Sequence, residues 1–366
     1  MTNELDRRAF LRRGALGAAG VVVLGSPLLA ACSSDSKTST STSSSSSSAA
    51  GVAKDLGALD YQLSWIKNVE FAGEYIADTN GYYKQVGFSS VNLMAGGPNV
   101  NQDSVIDSGK AFIGSSDPTI TSPAINQGAK LIVVGAQYQK SPFCIMSLAS
   151  NPVPTPADMK GKKIGVQDVN LSIWNAFLAA NNISQSDVTT VSVGFDTAEL
   201  VAGTVAGWFS FITNEPNELK AKGTDTVTFL LAENKLPLVS QVYVVNTDKL
   251  KSSRDTIKAA LHAEILGWRE SIKTPVVGAH LAATKYGVDL KLDETEQTNE
   301  SMDQNKLILT DDTKANGIFT VTDAHVAETI DSLGKAGTTI TKEKLFDLTL
   351  INELYEEFPD LKVAPA

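Results

Sequence analysis

Polar, glycine and aromatic residues accumulate between positions 65 and 117, each where a predicted strand gives way to a predicted helix. Side chains of these types can stack on a flat ring or exchange hydrogen bonds with a small molecule. The residues concerned are Trp65, Asn68, Gly97, Asn99, Ser115, Ser116 and Asp117. In an open α/β sheet such junctions meet at the carboxyl edge of the strands, where ligands bind. The stretch therefore predicts a ligand site, although capped helices alone would indicate only the fold.

Four later residues complete the predicted site: Phe143, Trp174, Asn214 and Glu215. Phe143 and Trp65 offer faces for stacking, and the Glu215 carboxylate can accept N–H donors. Two alternatives stay open. Trp174 shares its side of a predicted helix with apolar residues and could pack in the core. Glu215 could simply occupy the first turn of its helix, where the helix dipole favours an acid.

Catalytic and metal-binding motifs are not visible in the sequence. His262, His280 and His325 lack metal-ligand spacing, Gly109-Lys110 lacks the preceding glycine of a phosphate loop, and no Gly-x-Ser-x-Gly elbow occurs. An enzyme would therefore need a cofactor to supply its chemistry. The sequence favours a binding protein without a metal or a cofactor.

Two series of alternating strands and helices must position the candidate residues. Residues 60–136 follow a β-α-β-α-β-α-β pattern, and residues 163–231 repeat it. A further strand near Gln241 is expected to return to the first series. This pattern predicts two α/β lobes with mostly parallel sheets, formed by residues 58–143 plus 240–366 and by residues 144–239. Two crossings, near Phe143 and Gln241, would make a hinged clamshell with a cleft between its lobes.

Capping residues and aromatic periodicity refine this scheme. Helix starts are predicted at Asn99 with Gln102, at Asp117, at Asn170, and at Asp196 with Glu199. Four aromatic residues have the periodicity of core residues and are interpreted as packing: Phe177, Trp208, Phe211 and Trp268.

The first 57 residues are predicted to target and anchor the protein. Asp6-Arg7-Arg8-Ala9-Phe10-Leu11-Arg12 resembles a twin-arginine export motif, and Leu29-Ala30-Ala31-Cys32 resembles a lipobox, in which the cysteine carries lipid. Residues 33–48 are Ser or Thr at 14 of 16 positions, which predicts a flexible tether over residues 32–57. We therefore predict a signal peptide over residues 1–31 and a protein anchored to the outer face of the cell membrane by lipid alone.

Charge and cysteine content narrow the function. The chain carries a net charge of −10, and removing residues 1–31 leaves 27 basic and 39 acidic side chains. Such an excess of acid argues against nucleic acid as a partner. With Cys32 lipidated, Cys144 is the only other cysteine, so neither an internal disulfide nor a thiolate metal site is predicted.

A series of short motifs resembles one protein family. The motifs, in order, are Trp65 with Asn68, Phe71-Ala72-Gly73, Gly81-Tyr82-Tyr83, Gly96-Gly97-Pro98-Asn99, Ser108-Gly109-Lys110-Ala111, Ser141-Pro142, Gly161-Lys162-Lys163-Ile164-Gly165 and Asn214-Glu215-Pro216. This set resembles the solute-binding proteins of ABC importers, in the branch related to thiamine-pyrimidine synthases and to binders of nitrate, sulfonates and thiamine precursors. The resemblance implies a type II periplasmic-binding-protein fold and a monomer that delivers a small molecule to permease subunits with a cytoplasmic ATPase.

The chain departs from the family pattern at two points. Val205-Ala206-Gly207 lacks the acid usual before the strand that leads to Asn-Glu-Pro. The cysteine cluster of the pyrimidine-synthase enzymes is also missing, which disfavours the enzymatic branch.

The residues of the predicted cleft favour a flat nitrogen heterocycle, with an aminopyrimidine thiamine precursor as the best candidate. Anion binders need Arg, Lys or several free backbone N–H groups, whereas Lys67 is the only obvious cation here. Riboflavin is the nearest alternative, followed by nitrate, sulfonates or taurine. A pyrimidine-synthase-like enzyme is the remaining alternative.

Overall fold

The computed structural model of the protein describes residues 55–362. The predicted signal peptide, the proposed lipid-attachment residue Cys32 and nearly all of the predicted tether lie outside the described residues. Within residues 55–362, no helix is long and apolar enough to cross a membrane.

The described part of the chain contains ten strands, which form two five-stranded sheets, and each sheet is the centre of one lobe. In chain order the strands are β1 (Gly57–Gln62), β2 (Phe88–Met94), β3 (Ile113–Ser116), β4 (Leu131–Tyr138), β5 (Phe143–Leu148), β6 (Lys163–Gln167), β7 (Thr189–Val193), β8 (Gly207–Phe211), β9 (Thr226–Leu230) and β10 (Ser240–Asn246). Lobe one has the strand order β2-β1-β3-β10-β4, and lobe two has the order β7-β6-β8-β5-β9.

Each sheet combines parallel strands with one antiparallel strand that lies second from an edge. In lobe one, β1 pairs in parallel with β2 and β3, and β10 runs antiparallel between β3 and β4. In lobe two, β6 pairs in parallel with β7 and β8, and β5 runs antiparallel between β8 and β9. The chain crosses between the sheets twice, before β5 and before β10. The predicted two-lobed α/β clamshell with two crossings is confirmed.

Helices flank the two sheets. They are α1 (Ala72–Thr79), α2 (Tyr82–Gln85), α3 (Gln102–Asp107), α4 (Pro118–Asn126), α5 (Leu171–Ala180), α6 (Ala198–Val201), α7 (Glu215–Ala221), α8 (Thr247–Ser252), α9 (Arg254–Lys273), α10 (Pro275–Leu281), α11 (Glu294–Ile308), α12 (Asp311–Asn316), α13 (Asp323–Lys335), α14 (Lys342–Leu345) and α15 (Thr349–Glu357). The helix α9 packs so closely on α1 that a side chain at position 267 would collide with the backbone oxygen of Gly73. Glycine at position 267 allows this close approach.

Two of the predicted helix caps do not form as expected, although α5 begins directly after Asn170 as predicted. Asn101, not Asn99, caps α3 by accepting a hydrogen bond from the Ser104 N–H, because the loop continues two residues further than the pattern suggested. Asn170 precedes α5 but makes no capping bond, since its side chain donates to Gln167 instead.

The remaining two predicted caps have different outcomes. Asp196 accepts from the Ala198 N–H, yet the predicted capping box with Glu199 does not form, because α6 starts at Ala198. Asp117 caps α4 as predicted.

Hydrogen bonds join the two lobes at several places. The Val169 N–H of lobe two donates to the Pro98 carbonyl of lobe one at 2.9 Å. Asn217 on α7 donates to the Asp303 carboxylate on α11 at 3.0 Å. The lobes are therefore in contact, and the space between them is partly enclosed.

Candidate ligand cleft

A cavity lies between the lobes, where the carboxyl ends of the parallel strands meet. The space between its walls is about 500 Å³, including the part open to solvent. Lobe one contributes Ser64, Trp65, Glu70, Gln102, Ser116, Asp117, Ile120, Ser240 and Gln241. Lobe two contributes Phe143, Gln167, Val169, Asn170, Phe209, Ser210, Phe211, Asn214 and Glu215. Two glutamates, one from each lobe, dominate its chemistry.

Glu215 is held by the turn that joins β8 to α7. Its Oε2 accepts from the Ser210 hydroxyl at 2.7 Å and from the Phe211 N–H at 3.1 Å, which leaves Oε1 for a donor in the cavity. Burial raises the pKa of Glu215 to about 7, and the hydrogen bonds from Ser210 and the backbone oppose that rise. A ligand donor would find a carboxylate that is oriented but not fully satisfied.

Glu70 faces the cavity from the turn between β1 and α1. Its Oε1 accepts from the Gln241 amide at 2.8 Å and from the Ser64 hydroxyl at 3.5 Å. Burial, followed by the nearby charge of Glu215, raises the pKa of Glu70 to about 8. The two carboxylates therefore repel each other across the cleft unless a proton or a ligand donor lies between them.

Gln241 connects these groups at the second crossing between the lobes. It accepts from the Ser64 hydroxyl at 3.0 Å while its amide donates to Glu70. Its backbone has φ 50°, in the left-handed region that is uncommon for residues other than glycine. Such conformations concentrate at functional sites, where the surrounding contacts hold them in place.

Aromatic rings form the apolar wall of the cavity. Phe143 packs edge-on against Phe211, with ring centroids 4.4 Å apart, and tilts against Phe209 at 4.9 Å. Trp65 is half-buried on the opposite lobe. The cavity thus combines apolar faces with hydrogen-bond acceptors, as expected for a ring that carries N–H groups.

Positive charge is missing from this wall. No Lys or Arg is among the described residues that line the cavity, although Glu70, Glu215 and Asp117 are. Asp117 is already occupied, since Oδ1 accepts from the backbone and hydroxyl of Thr119 and Oδ2 accepts from the Ser240 hydroxyl at 2.8 Å. The open carboxylate oxygens belong to Glu70 and Glu215.

The structure brings together six of the predicted site residues: Trp65, Ser116, Asp117, Phe143, Asn214 and Glu215. The others lie elsewhere. Ser115 is buried behind the wall and accepts from the Ser64 N–H at 3.0 Å. Asn68 is 1% exposed and donates to Glu300, and it lines an adjoining cavity rather than this one.

Three further predicted residues do not line the cavity. Asn99 is exposed and Gly97 is buried in the same loop, whose Pro98 contacts lobe two. Trp174 is 1% exposed and lies in the core of lobe two, where its indole N–H donates to Thr190. The open question about Trp174 is thus answered in favour of packing, because this face of α5 covers the sheet.

Comparisons with known proteins agree with this architecture. A profile of the family described as "NMT1/THI5 like" matches residues 68–277, which is more than half of the chain. The chain belongs to this family. The match includes β2 to β10 and both lobes.

Individual relatives of this NMT1/THI5-like protein bind different solutes. It is 26% identical over 254 residues to the riboflavin-binding protein RibY of Chloroflexus aurantiacus, covering 68% of this chain and 72% of the relative.

Two solved structures share the fold. One is the alkanesulfonate-binding protein SsuA of Xanthomonas axonopodis, bound to MOPS, with a TM-score of 0.56 and 15% sequence identity. The alignment covers 79% of this chain and 96% of the SsuA chain. The nitrate-binding protein NrtA of Synechocystis has a TM-score of 0.56 at 12% identity, with coverages of 84% and 92%.

Several residues that line the cavity of this NMT1/THI5-like chain were not predicted from the sequence. Phe211 was interpreted as packing, yet it lines the cavity, because the last residue of a strand can face the sheet edge. Glu70 lies two positions after Asn68, at the same strand-to-helix junction as the predicted residues Trp65 and Asn68. Its position at this junction could have identified it as a candidate site residue. Gln241 carried no local signal, since its partners are more than 170 residues away.

Metal binding has no support in the described part of the chain. Between residues 55 and 362, no group of three or more His, Cys, Asp or Glu side chains could hold a metal ion.

Proposed function

We propose that this protein is the solute-binding component of an ABC importer and that it captures a flat nitrogen heterocycle between its lobes. The observation that carries this proposal is the cavity wall, whose described residues offer two incompletely satisfied carboxylates and several aromatic rings but no Lys or Arg. A heterocycle that presents N–H groups matches acceptors of this kind, and its face matches the rings.

The same wall argues against nitrate and sulfonates as ligands. Burying an anion beside Glu70 and Glu215 would place like charges together in a partly desolvated space, which is strongly unfavourable. The sulfonate and nitrate specificities of the two structural neighbours are therefore not transferred to this chain.

Among heterocycles, an aminopyrimidine thiamine precursor is the first candidate. Its amino group and a protonated ring nitrogen are adjacent donors. Because Oε2 of Glu215 is already engaged, the two donors would be shared between Glu215 Oε1 and Glu70 rather than held by Glu215 alone. The binding energy would come from hydrogen bonds to charged acceptors in a water-poor cleft.

Riboflavin is the second candidate, supported by the relationship to the riboflavin-binding protein of Chloroflexus aurantiacus. Its ring system also offers a broad face and an imide N–H. Native mass spectrometry of the protein after incubation with metabolite mixtures, followed by denaturation, separates these candidates. We expect a retained and chemically unchanged heterocycle. A product that forms only in the presence of the protein would instead indicate an enzyme, and retention of nitrate or taurine would overturn the ligand class.

We also propose that Cys32 carries lipid and tethers the protein to the outer face of the cell membrane. The support is the lipobox-like Leu29-Ala30-Ala31-Cys32 and the Ser/Thr-rich segment that follows. We expect the Cys32→Ala variant to be recovered in the soluble fraction. Membrane partitioning equal to that of the wild type would contradict the anchor.

A further inference from the structure

A second cavity adjoins the candidate ligand cleft and shares three of its wall residues. Trp65, Asn214 and Glu215 line both spaces. The second cavity extends away from the sheets towards α7 and α11, and the space between its walls is about 940 Å³, including the part open to solvent. The shared residues make it an extension of the same cleft rather than a separate surface groove.

Glu296 is a buried carboxylate in the wall of this second cavity. Only 5% of its surface is exposed, and its Oε2 accepts from the Gln297 amide at 2.7 Å. Its Oε1 is buried and has no hydrogen-bond partner among the described residues. A buried carboxylate oxygen without a donor is costly, so Glu296 is a natural acceptor for a group that enters the cavity.

The surrounding side chains keep the second cavity acidic. Its wall contains Glu215, Glu218, Asp293 and Glu296, whereas Lys222 and Lys291 are the only cations among the described wall residues. Lys222 forms a salt bridge with Glu218, one turn earlier along the chain, so its positive charge is already paired. The environment therefore favours neutral or cationic groups that donate hydrogen bonds and disfavours anions such as phosphates.

The apolar share of the wall lies towards the outside. Phe195, Leu290 and Leu292 line the second cavity, and Phe195 is 45% exposed although it is a large apolar residue. Apolar side chains of this kind can cover the carbon skeleton of a flexible substituent while Glu296 takes its donors.

We propose that the second cavity holds a substituent of the ligand whose ring occupies the first cavity, and that this substituent carries hydroxyl or amino groups that donate to Glu296. The inference rests on the proposed function, and it narrows the substrate class to elongated heterocycles with a donor-bearing side arm, which ranks riboflavin above a bare aminopyrimidine among the candidates. A bare ring would leave Glu296 without its partner.

Two matched ligand pairs test this inference by titration calorimetry. Riboflavin is compared with lumiflavin, which has the same isoalloxazine ring system with a methyl group in place of the ribityl arm. Thiamine is compared with its hydroxymethyl aminopyrimidine half, which lacks the thiazolium ring and its hydroxyethyl arm. In the pair whose ring is recognised, we expect the arm-bearing member to bind at least about tenfold more tightly, as a hydrogen bond to a charged acceptor implies.

Substitutions in the second cavity test whether the affinity gained from the side arm depends on Glu296. Glu296→Gln should weaken the arm-bearing ligand by about tenfold and leave the bare ring unchanged. Ala221→Phe, which narrows the second cavity from its exposed side, should do the same without altering a buried residue. The control is Glu294→Gln, an exposed carboxylate on the same helix that lies outside the cavity, and it should change neither affinity.

The outcomes separate this inference from the function on which it rests. Binding of neither ring would overturn the proposed heterocycle function itself. Equal affinities for the two members of the recognised pair would overturn the side-arm inference while leaving the ring site intact. Loss of both affinities in Glu296→Gln, with an unchanged thermal transition, would mean that Glu296 acts on the ring and not on an arm.

Discussion

Two pairs of buried glutamates in this protein share the same electrostatic problem and differ in what surrounds them. Glu70 and Glu215 face each other in the ligand cleft, whereas Glu74 and Glu264 lie in the core of lobe one, between α1 and α9. Burial is the largest cause of a raised pKa in all four. Neither pair has a Lys or Arg partner among the described residues.

The difference lies in access. The core pair is enclosed by aromatic side chains, and Tyr83 donates to Glu264. The cleft pair lines an open cavity and has carboxylate oxygens available to a ligand. A raised carboxylate pKa therefore does not identify a binding site in this fold by itself. It does so where an accessible cavity lies next to the carboxylate.

The largest expected effect of both pairs is on stability as a function of pH. Burial raises the pKa of Glu70 and Glu74 to about 8 and that of Glu215 to about 7. An unfolded glutamate ionises near pH 4.3, so between the two values the folded state holds more protons than the unfolded state. The stabilisation is therefore complete only below about pH 4.3 and is lost progressively as the pH rises through the folded pKa values, at about 1.4 kcal/mol for each unit of pKa difference.

Urea unfolding of the empty protein at several pH values measures this effect. We expect the free energy of unfolding to fall by several kcal/mol from pH 5 to pH 8. Glu74→Gln should flatten the profile, while the exposed Glu328→Gln should reproduce the wild-type curve. A stability that stays level or rises over this range would show that the core pair is compensated in some other way.

The cleft pair should differ from the core pair in its effect on binding. Glu215→Gln is expected to weaken the heterocycle by about 1.5–3 kcal/mol, because it removes a charged acceptor of the ligand. The amide oxygen can still accept from Ser210 and Phe211, so the thermal transition of the empty protein at pH 6 should change little. Calorimetry supplies the affinities. Glu74→Gln is the matched control, and an equal loss of affinity in both variants would erase the distinction between the pairs.

Binding itself should depend on pH with the opposite sign to stability. Neutral N–H donors, such as an imide N–H, favour the ionised carboxylates, so the carboxylate pKa values are lower in the complex than in the empty cleft and binding releases protons. Affinity should therefore decrease as the pH falls from 8 to 6, by up to about tenfold per pH unit for each proton released. A ring nitrogen that must be protonated to donate takes up one of these protons, which flattens the profile for an aminopyrimidine. Titrations in buffers of different ionisation enthalpy count these protons. A ligand with no donors would give a flat profile.

The smallest expected effect concerns the two tryptophans that were predicted as site residues. Trp65→Leu should weaken the ligand by about 0.5–1.5 kcal/mol through loss of stacking, with little change in stability. Trp174→Phe should instead lower stability and leave affinity unchanged, because Trp174 is buried in lobe two and bonded to Thr190. Thermal unfolding and calorimetry on both variants provide the comparison, and a reversal of the two patterns would contradict the placement of the rings.

Local sequence determined much of the architecture. The alternation of strands and helices predicted two α/β lobes, and the strand near Gln241 was expected to return to lobe one, as β10 does. The sequence predicted Asp117 as a helix cap, and in the structure both of its carboxylate oxygens accept hydrogen bonds. These features depend on hydrophobic periodicity and on capping within a few residues, which are local properties of the chain.

The composition of the cleft was decided only by tertiary structure. Glu70 meets Gln241 across 171 positions of sequence, and Glu215 influences Glu70 from the other lobe. The face on which Trp174 or Phe211 lies depends on how a helix or a strand end packs against its sheet, and their periodicity was compatible with either outcome. A binding site is a set of long-range contacts between side chains, whereas the pattern along the chain records only which residues are neighbours within one element.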